Sequence, residues 1–223
     1  MKILAFDTST EYCTAALLHD DALLLRDVHA GQTHSQLLLP MCQSLLAEAG
    51  IALRQLDGIA FGAGPGSFTG LRIACAVTQG LAFGAGLPVL GVSTLLALAE
   101  ASGATRVIAC LDARMGEVYH AVYRREAGDW LTESAPLLCA PAQVPGVEGA
   151  DWCGCGSGFQ AYGEVLQAHY GATLTGTRPA LYPHAREIAG LAAAGFAAGH
   201  GMAPELAAPL YIRDKVALKI CER

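Results

Sequence analysis

The chain contains one pattern twice: an apolar strand that ends in an aspartate, then a polar loop, then a second apolar strand. The first copy is MKILAFDTST followed by CTAALL, and its aspartate is Asp7. The second copy is RVIACLDARMGEVYHAVY, and its aspartate is Asp112. A unit that recurs within one chain is a sign of related subdomains. The pattern therefore predicts an α/β protein built from two related βββ-α units rather than one continuous doubly wound sheet.

Glycine-terminated helices separate these strands and indicate where the subdomains divide. A helix is predicted in THSQLLLPMCQSLLAEAG, ended by Gly50, another from about Leu71, and a third in LLALAEASG that stops near Gly103. Two more are predicted in GFQAYGEVLQAHYG and HAREIAGLAAAGFAAGHG, after a loop at 136–149. We predict an N-terminal subdomain at 1–103, a C-terminal subdomain at 104–203 and a tail at 204–223.

Composition argues against several classes of protein. The chain has 14 Lys plus Arg against 20 Asp plus Glu, so it has no general positive field, and a nucleic acid would have to be held mainly by something else. The eight cysteines match no disulfide framework or zinc-ligand spacing and are typical of core residues in a reducing compartment. The first apolar run is too short for a secretory signal. We therefore expect a cytoplasmic protein.

The long uncharged stretch between Arg72 and Glu100 could suggest a membrane span. Pro88 and several glycines break that stretch into a helix, a short strand and another helix. Each piece is shorter than a span and is expected to be buried inside the fold. We therefore predict no contact with a membrane.

The most glycine-rich segment, FGAGPGSFTGLRIA, links a predicted strand to a predicted helix. Glycines at a helix N-terminus let the free N–H groups approach an anion, which makes Gly64 and Gly66 candidate phosphate contacts. No Gly-Lys-Ser/Thr follows, and the spacing is not G-x-G-x-x-G, so neither nucleotide fingerprint is present. The other interpretation is a tight turn in which strand and helix backbones touch. The residues leave both interpretations open.

A second candidate site is Asp7-Thr8-Ser9, at the carboxyl end of the first strand, where nucleotide-binding sheets hold phosphate and metal. A phosphate site would favour a glycine in this turn, but Ser9 stands there. The composition therefore favours a role for Asp7 in capping the turn, with a nucleotide contact as the alternative. The seven histidines never occur at i, i+4 spacing, so we predict no metal site and no catalytic residues.

Two helices carry more apolar residues than one buried stripe needs. The first contains a run of leucines with Met41. The second contains the small pair Gly80 and Gly84 and five apolar residues: Ile73, Ala74, Val77, Leu81 and Phe83. Surplus apolar surface on a soluble chain commonly marks a partner, and small residues four apart let helices approach closely. The alternative is a helix buried within its own fold. We favour a partner interface.

Five segments resemble, in order and over nearly the whole chain, the bacterial TsaB (YeaZ) family: ILAFDTST, THSQLLLP, GAGPGSFTGLRIA, LDARMGEVYHAVY and PLYIRDKVALK. The resemblance implies the actin-like ATPase (ASKHA) fold with two ribonuclease-H-like halves. It also implies a non-catalytic scaffold or activator that pairs with a TsaD-type transferase and a TsaE-type ATPase. The assembly installs threonylcarbamoyl on the adenosine beside the tRNA anticodon. By the same resemblance this chain has no cofactor of its own, and ATP and a metal ion belong to its partners.

The resemblance also implies where the partner binds. In the family, the heterodimer with the TsaD-type protein uses the first two helices of the N-terminal half, while tRNA is held through the assembly. The isolated chain is expected to form a homodimer through the same helices. We predict the interface residues Leu38, Met41, Leu45, Ile73, Val77 and Leu81. Ala74 departs from the glycine that many relatives have, which affects how closely a partner backbone could approach.

The competing hypothesis is an autonomous ATP-using phosphotransferase of the same fold. In that enzyme Asp7 and Asp112 would serve as metal ligands or as a general base. Ser9 and the missing phosphate-binding glycine argue against it. Turnover of ATP by the purified chain would distinguish the two hypotheses.

Overall fold

The computed structural model describes residues 1–20 and 22–213. Its first sheet consists of β1 (Lys2–Asp7), β2 (Tyr12–His19), β3 (Ala22–His29), β4 (Gly58–Gly64) and β5 (Val89–Ser93). The strand order is β3-β2-β1-β4-β5. The pairs β1–β2 and β2–β3 are antiparallel, whereas β1–β4 and β4–β5 are parallel. The central strand β1 is buried on both faces, which explains its unbroken apolar sequence.

The second sheet repeats this arrangement. Its strands are β6 (Arg106–Arg114), β7 (Glu117–Glu126), β8 (Asp129–Cys139), β9 (Trp152–Cys155) and β10 (Leu174–Arg178), in the order β8-β7-β6-β9-β10. Again the first three strands are antiparallel and the last two join in parallel. The predicted pair of related units is therefore confirmed. The duplicated topology is that of the actin-like (ASKHA) fold with two ribonuclease-H-like subdomains.

Six α-helices lie within the described residues: α1 (His34–Ala49), α2 (Phe68–Ala85), α3 (Thr94–Ser102), α4 (Ser157–Ala161), α5 (Gly163–Tyr170) and α6 (Ala185–Ala197). Gly50 and Gly103 end α1 and α3 in the left-handed conformation, as predicted from the sequence. The second helix begins at Phe68, three residues before the predicted start, because the hydroxyl of Ser67 accepts a hydrogen bond from the Gly70 N–H and caps it.

Two predicted elements differ from the structure. The single helix predicted over GFQAYGEVLQAHYG is two short helices, α4 and α5, because Tyr162 leaves the helical conformation with φ −131°. The predicted loop at 136–149 begins late, since β8 continues to Cys139 through Pro136. Proline is tolerated there because β8 is an edge strand, and the pairing of β8 with β7 shifts register at this point.

The helices form layers on both faces of the two sheets. Two of them, α3 and α6, pack against the sheet of the other subdomain. One face of the first sheet packs against α1 and α2, and its other face packs against α6. The second sheet packs against α3 on one face and against α4 and α5 on the other. The first sheet ends with β5 at Ser93 and the second begins with β6 at Arg106, while the boundaries predicted for the two subdomains stay predictions. However, α3 lies with the sheet of the second half and α6 with that of the first.

The tail begins with a single 3-10 turn at Pro204–Leu206 and continues beside α2 to Arg213. Residues 214–223 of the predicted tail lie outside the described residues. Within residues 1–20 and 22–213, no helix combines the length and the hydropathy needed to cross a membrane.

Candidate functional site

A cleft of about 1090 Å³ lies between the two subdomains. The turn between β1 and β2 and the first residues of α2 form the wall on the side of the first subdomain. The turn between β6 and β7, together with α4, forms the opposite wall. The position matches the cleft in which ATP-using proteins of this fold would hold a nucleotide. A metal-bound nucleotide in this cleft would need an open carboxylate for the cation and backbone N–H groups for the phosphates.

The glycine loop packs against the β1–β2 turn. A Cβ at Gly66 would lie 2.6 Å from the Ser9 carbonyl oxygen, and one at Gly70 would lie 1.8 Å from that of Thr8. The backbone N–H of Ser67 donates to the Ser9 carbonyl at 2.7 Å, and Thr8 Oγ1 donates to the Gly70 carbonyl at 2.7 Å. The tight-turn interpretation is therefore confirmed, because these contacts leave no room for a side chain. An anion contact at Gly64 and Gly66 stays a prediction.

Asp7 is fully buried and is not among the residues that line the cleft. Its Oδ1 accepts hydrogen bonds from the Ser9 N–H at 2.9 Å and the Ser9 hydroxyl at 2.8 Å, so the predicted turn cap is confirmed. Its Oδ2 has no hydrogen-bond partner among the described residues and lies against the backbone of Gly62. Burial raises the pKa of Asp7 to about 6, although the hydrogen bonds from Ser9 oppose the shift.

Asp112 lines the cleft, and its carboxylate is bound by Arg114, two residues further along the chain. Its Oδ1 accepts from the Arg114 N–H at 2.8 Å, and its Oδ2 lies 3.1 Å from the Arg114 guanidinium. The hydroxyl of Tyr162 reaches Oδ1 at 3.4 Å. Both carboxylate oxygens are therefore engaged within the chain, and Arg114 offsets the negative charge.

These surroundings do not fit a metal-bound nucleotide. Asp7 has no access to the cleft, and Asp112 is already paired with an arginine. In residues 1–20 and 22–213, no group of three or more His, Cys, Asp or Glu side chains is arranged to hold a metal ion. Neither of the two aspartates at the strand ends is therefore free to hold a cation in the cleft.

The structure divides the six predicted interface residues into two groups. Leu38 and Leu45 are fully buried and Met41 is only 8% exposed, because this face of α1 packs on the first sheet. A partner contact by these three side chains does not agree with their burial. Ile73, Val77 and Leu81 on α2 are half-buried and pack at the margin of the same core. Their contact with a partner stays a prediction.

The most exposed part of α2 holds Phe83 and the small pair Gly80 and Gly84, which the sequence pattern singles out but which are not among the six predicted interface residues. The ring of Phe83 is 78% exposed, and Ala76, Gly80 and Gly84 are exposed beside it. A Cβ at Gly80 or Gly84 would have no neighbour within 4 Å. We call these residues together with Ile73 the α2 stripe. A helical wheel at about 100° per residue groups them on one side. Since the opposite side is also apolar, the wheel could not tell which side faces outward.

Comparisons with known proteins agree with this fold. Residues 28–220 match the family model described as tRNA N6-adenosine threonylcarbamoyltransferase (TsaD). The chain is 41% identical to the tRNA threonylcarbamoyladenosine biosynthesis protein TsaB of Escherichia coli (strain K12), over 98% of this chain and 97% of that protein. It is 37% identical to the protein of the same name from Haemophilus influenzae, over 98% and 96% of the two chains.

The structure of YeaZ from Pseudomonas aeruginosa is similar with a TM-score of 0.87 and 42% sequence identity. The match covers 94% of this chain and 99% of that one. Together with the relatives from the other two organisms, it covers both subdomains and the cleft between them. The chain therefore belongs to the TsaB (YeaZ) family.

Proposed function

We propose that this chain is the non-catalytic subunit that supports threonylcarbamoylation of the anticodon-adjacent adenosine of tRNAs. It acts as a scaffold or activator for a TsaD-type transferase, together with a TsaE-type ATPase. The observation that carries the proposal is the α2 stripe, an exposed apolar helix surface next to the cleft. The names of the relatives supply the pathway.

Among the described residues, nothing covers the exposed part of the stripe. Glycine in a helix interior is less favourable than alanine by about 0.8–1 kcal/mol, yet nothing near Gly80 or Gly84 excludes a larger side chain. Exposing the ring of Phe83 forgoes roughly 2 kcal/mol of burial. Both features become favourable when a second helix packs against α2, because the glycines allow close backbone approach and Phe83 is then covered.

The absence of catalysis in this subunit is supported by the two aspartates. An autonomous phosphotransferase would need Asp7 or Asp112 free to hold a metal or accept a proton. One is buried and the other is paired with Arg114. We therefore assign ATP and the metal ion to the partner proteins and propose no cofactor for this chain.

The net charge and the free cysteines of this chain also agree with the proposed partners and with a cytoplasmic assembly. With a formal net charge of −6, the chain is a poor ligand for a polyanion, so the assembly rather than this subunit would hold the tRNA. The seven described cysteines are free thiols, which is typical of the cytoplasm. In the absence of its partner, the chain would form a homodimer by pairing two α2 stripes.

The test is a leucine at Gly80, compared with the same change at Gly190. Both glycines are exposed, helical and without a neighbour within 4 Å of an added Cβ, but Gly190 lies on α6. Each change should leave the folded chain as stable or more stable by up to about 1 kcal/mol. Gly80→Leu should weaken binding of the TsaD-type protein by about a hundredfold, roughly 2.7 kcal/mol.

Binding is measured by calorimetry with the purified TsaD-type protein of the same organism, and transfer of threonylcarbamoyl to tRNA is measured in parallel. Gly190→Leu should bind and support transfer like the unmodified chain. Wild-type affinity in Gly80→Leu would show that α2 is not the partner surface. Transfer that proceeds equally well without the chain would remove the activator role.

A further inference from the structure

The segment Pro204–Arg213 runs from the first subdomain to the second at the edge of the cleft. Its first anchor lies on α2, where Ala207 and Cys75 are both buried in the core of the first subdomain. The carbonyl of Ala207 accepts from Gln79 Nε2 at 2.9 Å and from Cys75 Sγ at 3.3 Å. The N–H of Leu210 then donates to the carbonyl of Ala63 at 2.7 Å. Up to this point the segment is attached to the first subdomain alone.

The second anchor lies at the first turn of α2. The hydroxyl of Tyr211 accepts from Arg72 Nε at 2.9 Å, and the rings of Tyr211 and Phe68 are 5.6 Å apart. The Arg72 guanidinium lies 3.7 Å from the centre of the Phe68 ring. Arg72 therefore stacks on the ring of Phe68 and donates a hydrogen bond to Tyr211. Phe68 lines the cleft. The segment is therefore held against one wall of the cleft.

The third anchor lies on the opposite wall. Arg213 donates to Glu117 Oε2 at 2.6 Å and reaches Met115 Sδ at 3.2 Å. Its side chain is only 14% exposed, so this ion pair is shielded from solvent more than a surface pair would be. Arg213 and Met115 both line the cleft. Three residues of extended chain thus join the first turn of α2 to the turn between β6 and β7.

We propose that Leu210–Arg213 is an interdomain strap that limits how far the cleft opens. The chain otherwise passes between the two sheets at the end of α3 and at the start of α6, and these helices pack against each other. The contact between α3 and α6 does not tie the two walls of the cleft together. The strap is attached to both walls and therefore adds a restraint on their separation. Release of Arg213 frees the second subdomain to move away from α2. The inference does not depend on the proposed function.

The test is a charge swap across the cleft. Arg213→Glu and Glu117→Arg each place like charges together, and the double variant restores an opposite pair with its polarity reversed. Hydrogen exchange is followed in residues 8–12 and 156–162, which line opposite walls and contain neither substitution. Each single variant should raise exchange in both segments by about tenfold, and the double variant should return it to near the wild-type rate.

Arg124→Glu is the matched control, since Arg124 also pairs with two glutamates on the second sheet but does not line the cleft. It should leave both segments unchanged. Tyr211→Ala releases the other end of the strap and should raise exchange in the same two segments, which keeps the test valid if a charge variant fails to fold. Exchange that is unchanged in both segments, or not restored by the double variant, would overturn the proposal.

Discussion

Asp7 and Asp112 occupy equivalent places in the two subdomains, but Asp7 is fully buried whereas Asp112 lines the cleft. Asp7 is sealed beneath the β1–β2 turn with its carboxylate bonded to Ser9, and burial raises its pKa to about 6. Asp112 lies at the cleft and is paired with Arg114. The duplicated topology preserves the position of the strand end, while the local residues decide what the side chain there can do.

The helices that follow the parallel strands differ in the same way. In the first half, β4 leads to α2, an unbroken helix of 18 residues with an exposed apolar stripe. In the second half, β9 leads to α4 and α5, which have 5 and 8 residues and are separated at Tyr162. Of these two equivalent places in the described chain, the one in the first half therefore presents the long, continuous helix surface against which a partner helix could pack.

The largest expected effect comes from filling the space beside Asp7. A Cβ at Gly62 would lie 1.8 Å from Asp7 Oδ2, so Gly62→Ala should lower the free energy of unfolding by about 3 kcal/mol. Urea denaturation measures the change. Gly84→Ala is the control, because an added Cβ there meets nothing within 4 Å. If Asp7→Ala does not restore part of the lost stability in Gly62→Ala, the clash lies elsewhere.

The second half contains a buried histidine that should respond to pH in the opposite sense to Asp7. The hydroxyl of Tyr170 donates to the Pro145 carbonyl at 3.0 Å, so His120 Nε2 must be the donor in its 2.7 Å contact with Tyr170. The neutral form of His120 therefore carries its proton on Nε2, and its buried Nδ1 has no hydrogen-bond partner among the described residues. Burial lowers the pKa of His120 to about 4 from 6.5.

The folded state resists protonation of His120. The contribution of the neutral histidine to the free energy of unfolding is therefore fully present above pH 6.5 and is lost as the pH falls towards 4. Between pH 7 and 5 the wild type should lose about 2 kcal/mol relative to His120→Gln, which cannot titrate in this range. Urea denaturation at both values checks this. Tyr170→Phe should keep the pH dependence, since the imidazole stays buried. A parallel pH profile for His120→Gln would show that His120 does not titrate as described.

The smallest expected effect concerns the charge of Asp7. Its pKa is raised from 3.8, so its contribution to stability is complete below pH 3.8 and is lost as pH rises through about 6. From pH 7 to 5 the wild type should therefore gain about 1 kcal/mol relative to Asp7→Asn. The two pH profiles thus have opposite signs in the two halves. A loss instead of a gain would mean that Asp7 is ionised and stabilising in the fold.

Much of the fold could be predicted from local patterns. The repeated strand-aspartate-loop pattern and the glycines that end α1 and α3 depend on neighbouring residues and agree with the structure. The cap formed by Asp7 could also be predicted, because its hydrogen bonds reach only two residues along the chain.

The site was harder to predict because its key features depend on contacts between distant segments. Leu38 and Phe83 are both apolar residues on apolar helices, but the first is buried and the second is 78% exposed. No periodicity distinguishes them, since each helix has apolar residues around most of its circumference. The sheet that covers one face of each helix decides which residues remain at the surface.

By itself, the sequence determined the two related halves, the glycines that end α1 and α3, and the turn at Asp7, because these follow from periodicity, glycine positions and short-range hydrogen bonds. Only the tertiary structure decided which face of α2 is free, that α6 packs on the sheet of the other half, and that Arg213 meets Glu117 across the cleft. The last pair is 96 residues apart in the chain. Contacts of this kind arise from packing and have no local signature in the sequence.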